Sequence, residues 1–117
     1  MGLFNGIDTV FYQVCSMDRA VGFYSELLGF PVLRREGNDW AELDAGGHTL
    51  ALSGELATRP HTGGATVVLS TDDITAVDAA LAGASVQRGR IEDMGGAKML
   101  QFFDPDGNEI VALQPPA

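Results

Sequence analysis

Cysteine, histidine and basic residues are scarce in this chain, and each scarcity removes a class of function. Cys15 is the only cysteine among 117 residues, which excludes an intramolecular disulfide and a cysteine-cluster zinc site. It falls between a strand end and a helix start, where a thiol pKa can be lowered. No histidine adjoins it in sequence, so it reads as a small packing residue. The two histidines, His48 and His61, lack metal-ligand spacing; one follows Gly46-Gly47 at a turn and the other lies among Pro60 and Gly63-Gly64. Both read as solvated loop residues. Six arginines and Lys98 face 16 acidic residues, giving a net charge of −9. A field of that sign repels polyanions, so neither nucleic acid nor an anionic membrane is expected as a partner. The opening residues Met1 to Gly6 hold no basic region and no apolar run of signal length, and Gly6 stands where a myristoylation pattern wants Ser or Thr. The expected location is cytoplasmic.

What is plentiful is glycine, 15 residues, beside an apolar fraction of 45% and a charged fraction of 20%. Such a chain suits one compact domain over 1–117, with tight turns between short elements and stability from packing alone. Strand-like alternation runs from Asp8 to Val14; Ser16 can cap a helix in which Met17, Ala20, Val21, Tyr24, Leu27 and Leu28 recur at helical spacing, and Gly29 supplies its stop. Strands follow at Pro31 to Glu36, Trp40 to Asp44 and His48 to Ser53, with turns at Gly37-Asn38-Asp39 and Ala45-Gly46-Gly47. This βαβββ pattern fills 6–54. Residues 55–64 read as a linker. The pattern then restarts over 65–115: a strand at Ala65 to Thr71, a helix capped by Asp72 or Asp73 and ended by Gly83, and strands at Ser85 to Ile91, Ala97 to Phe103 and Glu109 to Leu113.

The halves are also similar residue by residue. Asp44-Ala45-Gly46-Gly47-His48-Thr49-Leu50-Ala51-Leu52 lies on Asp104-Pro105-Asp106-Gly107-Asn108-Glu109-Ile110-Val111-Ala112 without a gap, and Thr9 matches Thr66. Two copies that solve one burial problem imply a tandem architecture.

With Asp18-Arg19-Ala20 leading to Phe23-Tyr24-Ser25-Glu26-Leu27-Leu28-Gly29-Phe30, and Phe103-Asp104-Pro105-Asp106-Gly107-Asn108-Glu109-Ile110 near the end, the chain resembles the vicinal oxygen chelate superfamily. That superfamily includes glyoxalase I, extradiol dioxygenases and bleomycin- and fosfomycin-resistance proteins. The resemblance implies an α+β fold of two tandem βαβββ modules whose mixed sheet curls into a cup, usually within a homodimer. It also implies where a divalent metal would be held in metal-using members: Thr9 and Ala51 in the first half, Thr66 and Val111 in the second. Ala51 and Val111 have no donor atom, and a neutral threonine hydroxyl is a poor ligand for transition metals. The losses fall as symmetric pairs, so no metal and no cofactor is expected.

Strand phase assigns Val10, Leu50, Leu52, Val67, Leu69, Phe102 and Ile110 to the helix-covered face. Their alternates line the cup. The ligand-binding candidates are Thr9, Phe11, Gln13, Trp40, Glu42 and Ala51 from the first half, and Thr66, Val68, Gln101, Phe103, Glu109 and Val111 from the second. Aromatic surface with a few hydroxyls, amides and carboxylates is the usual make-up of an organic-ligand pocket. Convergent cationic groups are missing from it, while Arg34, Arg35, Arg88 and Arg90 lie in strands whose phase is less defined, so a phosphate-bearing substrate is disfavoured but stays open. Trp40 can be a core residue or an aromatic wall. Glu42 and Glu109 can anchor a donor, accept a proton, or hydrogen-bond to neighbours at the rim; they are the only candidates for a catalytic role. The expectation is a metal-independent protein that binds a small, partly aromatic molecule as a homodimer. Its rivals are a lyase, isomerase or dioxygenase with displaced metal ligands or a glutamate base, and a ligandless dimeric scaffold.

Overall fold

In the computed structural model, residues 2–3, 9–54 and 66–116 are described; the sequence-predicted linker, His61 and the start of the first module lie outside them. The chain divides into two units, Met1–Arg59 and Pro60–Ala117. The first holds β1 (Val10–Gln13), α1 (Met17–Val21), a π-helical segment (Gly22–Leu27), β2 (Val32–Glu36), β3 (Trp40–Asp44) and β4 (Thr49–Ser53). The second holds β5 (Val67–Ser70), α2 (Ile74–Gly83), β6 (Glu92–Met94), β7 (Ala97–Phe103) and β8 (Glu109–Gln114). The sheets share one topology, β1-β4-β3-β2 and β5-β8-β7-β6, each with its first strand parallel to its last and the other pairs antiparallel. This is the α+β architecture that the repeat predicts.

One face of each sheet is covered by its helix. In the first unit Tyr12, Ala41, Leu43, Leu50 and Leu52 are buried with Met17, Ala20, Phe23 and Tyr24. Phe23 meets Tyr24 edge-on at 5.1 Å and Tyr24 stacks with Tyr12 at 6.4 Å, geometries that add about 0.5–1.5 kcal/mol per pair to simple burial. In the second unit Ile74 and Leu81 are buried, as are Leu100, Phe102, Ile110 and Ala112 of the sheet. Both helices start on a side-chain oxygen: Ser16 accepts from the Arg19 N–H at 3.3 Å and Asp73 from the Ala76 N–H at 3.1 Å, each cap contributing about 1 kcal/mol.

Four local expectations are corrected. The helix expected over Met17 to Leu28 is α-helical only to Val21. Beyond it the Ser25 hydroxyl donates to the Val21 carbonyl at 2.7 Å, and Leu28 N–H bonds back five residues to Phe23. The side chain competes for a backbone acceptor and the turn widens. The second helix does end at Gly83, as expected, and the residue at positive φ beyond it is Ser85, at 58°. The strand expected at Ser85 to Ile91 forms instead over Glu92–Met94, with a single bridge from Arg88 to Phe102. Cys15, read as a packing residue, is exposed.

The fourth correction concerns the repeat at the last hairpin. Asp44 pairs with Thr49 but Phe103 pairs with Glu109, so the loops differ by one residue and Asp44 corresponds to Phe103. The extra residue follows from Asp104. Its buried carboxylate accepts from the N–H groups of Asp106 and Asn108 at 2.9 and 2.8 Å and from the Asn108 amide at 2.9 Å. Among the described residues Asp44 receives only Gly47 N–H, at 2.8 Å. The Asp-Pro-Asp-Gly-Asn motif is therefore a loop built round one carboxylate.

Candidate functional site

Register sets which side chains share the face away from each helix. In the first unit Phe11 lies opposite Ala51, Ala51 opposite Glu42, and Glu42 opposite Arg34, while Gln13, Ser53, Trp40 and Glu36 form the next row. Trp40 thus stands on the open face, half-buried, its ring 5.6 Å from that of Phe11. The Trp40 indole N–H donates to Glu42 Oε2 at 2.8 Å, and Arg34 Nη2 donates to the same oxygen at 3.0 Å. Arg34 also bridges to Glu36. The Arg34 guanidinium, then the indole N–H, holds the Glu42 carboxyl below the ordinary carboxylate range; the two glutamates raise Arg34 in turn. Thr9 precedes β1 and is half-buried.

In the second unit the same rows carry different chemistry. Val68 lies opposite Val111, Val111 opposite Gln101, and Glu92 opposite Met99. The Thr66 hydroxyl donates to Glu109 Oε1 at 2.6 Å and the Gln101 amide donates to the other carboxylate oxygen. These bonds, Thr66 first, hold the Glu109 carboxyl below its ordinary value. Beside it opens a hollow of about 270 Å³ lined by Gly89, Arg90, Glu92, Met94, Met99, Gln101, Glu109 and Val111.

The twelve sequence-predicted ligand candidates therefore separate into groups. Phe11, Trp40 and Glu42 touch or bond; Gln13 and Ala51 share their face. Gln101, Glu109 and Val111 line the hollow; Thr66 reaches it only through Glu109, while Val68 and Phe103 lie outside its lining. The structure orients two of the arginines whose strand phase the sequence left undefined. Arg34 and Arg90 both stand among these residues. A signal for them was present: Arg34-Arg35-Glu36 and Arg90-Ile91-Glu92 repeat an Arg-x-Glu pattern at the same offset. Strand pairing supports the correspondence at the glutamates, since Glu36 faces Trp40 as Glu92 faces Met99, and Trp40 and Met99 occupy equivalent rows.

A metal of the kind the superfamily uses does not fit these residues. Ala51 and Val111 offer no donor, and the Thr66 hydroxyl is already directed at Glu109. Among the described residues no three His, Cys, Asp or Glu side chains come together as a cation site.

The chain matches the Glyoxalase/Bleomycin resistance protein/Dioxygenase superfamily over residues 6–112 and belongs to that family. Several solved structures are similar. TnmS3, an antibiotic-binding protein from Streptomyces sp. CB03234, is 28% identical with a TM-score of 0.74, over 96% of this chain and 98% of its own. A glyoxalase family protein from Enterococcus faecalis is 26% identical with a TM-score of 0.75, over 96% and 99%. The bleomycin resistance determinant encoded on transposon Tn5, 22% identical with a TM-score of 0.76 over 97% and 100%, shares the fold. No curated protein matches the chain. Among the described residues no helix is long and apolar enough to cross a membrane.

Proposed function

We propose that this protein binds a small, partly aromatic organic molecule without the help of a metal ion, on the sheet faces that its helices leave open. The observation that carries this reading is the hollow of about 270 Å³ in the second unit, where the apolar walls of Met94, Met99 and Val111 meet the polar groups of Arg90, Gln101 and Glu109. Apolar walls with a few placed polar groups are what organic ligands require. Methionine thioethers adapt to flat rings. The likeness to an antibiotic-binding protein supports the same class of ligand. The proposal includes a homodimer, the state usual among proteins this chain resembles, in the cytoplasm, with neither nucleic acid nor membrane as a partner.

An enzyme with Glu42 or Glu109 as general base is the less favoured reading. Both carboxylates are held by donors that lower their pKa, and a lowered pKa makes a weaker base. A ligandless scaffold is disfavoured by the open hollow.

The test has two arms. Protein purified without chelator is expected to hold far less than one transition metal per chain, and proflavine, anilinonaphthalene sulfonate and naphthalenediol are screened by methionine methyl and Trp40 indole NMR signals. Saturable shifts from at least one compound are expected. A tight stoichiometric metal, or no shift from any of the three, overturns the proposal.

A further inference from the structure

The two units carry the same Arg-x-Glu pair, its glutamates at equivalent rows, yet the pairs behave differently. In the first unit Arg34 is bonded to both Glu36 and Glu42. In the second, the place of Glu42 is taken by Gln101, whose amide is directed at Glu109. The Arg90 and Glu92 side chains form no ion pair or hydrogen bond among the described residues, although both line the hollow. One unit has closed its charges on each other; the other has a cation and an anion in the lining of one hollow that are not paired with each other.

Resting on the small-molecule reading above, we infer that the hollow of the second unit receives a zwitterionic aromatic molecule, whose carboxylate is gripped by Arg90 and whose ammonium is held by Glu92, with its ring against Met94 and Met99. The guanidinium presents a planar fork that matches a carboxylate with two parallel hydrogen bonds. Glu92 is the better seat for the ammonium because Glu109 already accepts from Thr66 and Gln101. Neither charge alone suffices. A lone anion meets Glu92 and Glu109, and a lone cation meets Arg90, whereas a zwitterion answers both signs. The size of the hollow, just below the range usual for drug-sized ligands, suits a single ring.

Three matched probes test this: L-phenylalanine, phenethylamine, which has only the ammonium, and 3-phenylpropionate, which has only the carboxylate. Binding is read from the Met94 and Met99 methyl signals, with the Trp40 indole signal as the reporter of the first unit. L-phenylalanine is expected to bind about tenfold or more tightly than either single-charge probe, the scale of one charge-assisted hydrogen bond. Arg90→Gln should remove that advantage while leaving phenethylamine no weaker. Glu92→Gln should weaken L-phenylalanine and phenethylamine and spare 3-phenylpropionate. Both residues are exposed and their side chains have no partner among the described residues, so unchanged melting temperatures are expected and serve as the folding control. Equal affinities for the three probes, absence of binding by all of them, or shifts confined to Trp40 overturn the inference. The broader reading is judged separately, by the metal content and the dye screen.

Discussion

The two units solve the same folding problem with the same strand order, and they differ most on the faces that their helices leave uncovered. On the first, Arg34, Glu36, Glu42 and Trp40 bind one another and Phe11 lies against the indole. On the second, the indole is replaced by Met99, the central glutamate by Gln101 and Phe11 by Val68, and the face keeps a hollow with Arg90 and Glu92 in its lining. Duplicated burial has been kept while the polar layer diverged. A sheet tolerates this because inward and outward residues alternate, so one set can change without disturbing the other.

The core comparison breaks first and with the largest effect. Phe102→Ala and Leu43→Ala remove equivalent, fully buried residues. Each is expected to cost about 2–5 kcal/mol in urea unfolding, the phenylalanine more, because cavity terms add to lost transfer energy. The hairpins should break unequally. Asp104→Ala strands three donors and is expected to cost about 1–3 kcal/mol, whereas Asp44→Ala releases one exposed donor and should cost less than about 1 kcal/mol. A cost for Asp44→Ala equal to that for Asp104→Ala would show that the loops are held alike.

The open faces can be made to exchange character. Gln101→Glu supplies the carboxylate that Arg90 lacks and should draw it into an arrangement like that of Arg34. Affinity for L-phenylalanine is expected to fall about tenfold, measured by NMR titration. Glu42→Gln should loosen Arg34 and move the Trp40 indole signal.

The smallest expected effects are those of pH and salt. Glu42 and Glu109 have folded-state pKa values below their ordinary 4.5. The stability each contributes is therefore fully present above that value and lost as pH falls through the lowered folded pKa. Thr66→Val should raise the Glu109 pKa and Arg34→Met that of Glu42, read from carboxyl carbon shifts. Added salt should move Glu42, which is held by a guanidinium, and leave Glu109, held by neutral donors, nearly unchanged.

Much of this was legible in order along the chain. Trp40–Asp44 and Ala97–Phe103 form strands over the ranges their alternation predicts, and Asp73 caps the second helix. The site was legible in part. Alternation placed Trp40 and Glu42 on one face and Gln101 and Glu109 on another, because a period of two is a local property. The arginines were seen but not oriented. Their strands lie where Leu33 interrupts the register in one half and where only a single bridge forms in the other, so period alone did not orient them. The π-helical turn escaped because it depends on one hydroxyl competing for one carbonyl, which helical spacing does not encode.

By itself, the sequence determined the family, through the motifs that resemble it, and the tandem βαβββ pattern, through periodicity and the internal repeat. Only the tertiary structure decided that Arg34 is bound while the Arg90 side chain has no partner among the described residues. That distinction rests on which side chains from strands far apart in the chain come within hydrogen-bonding reach, and pairing register, not local pattern, sets that distance.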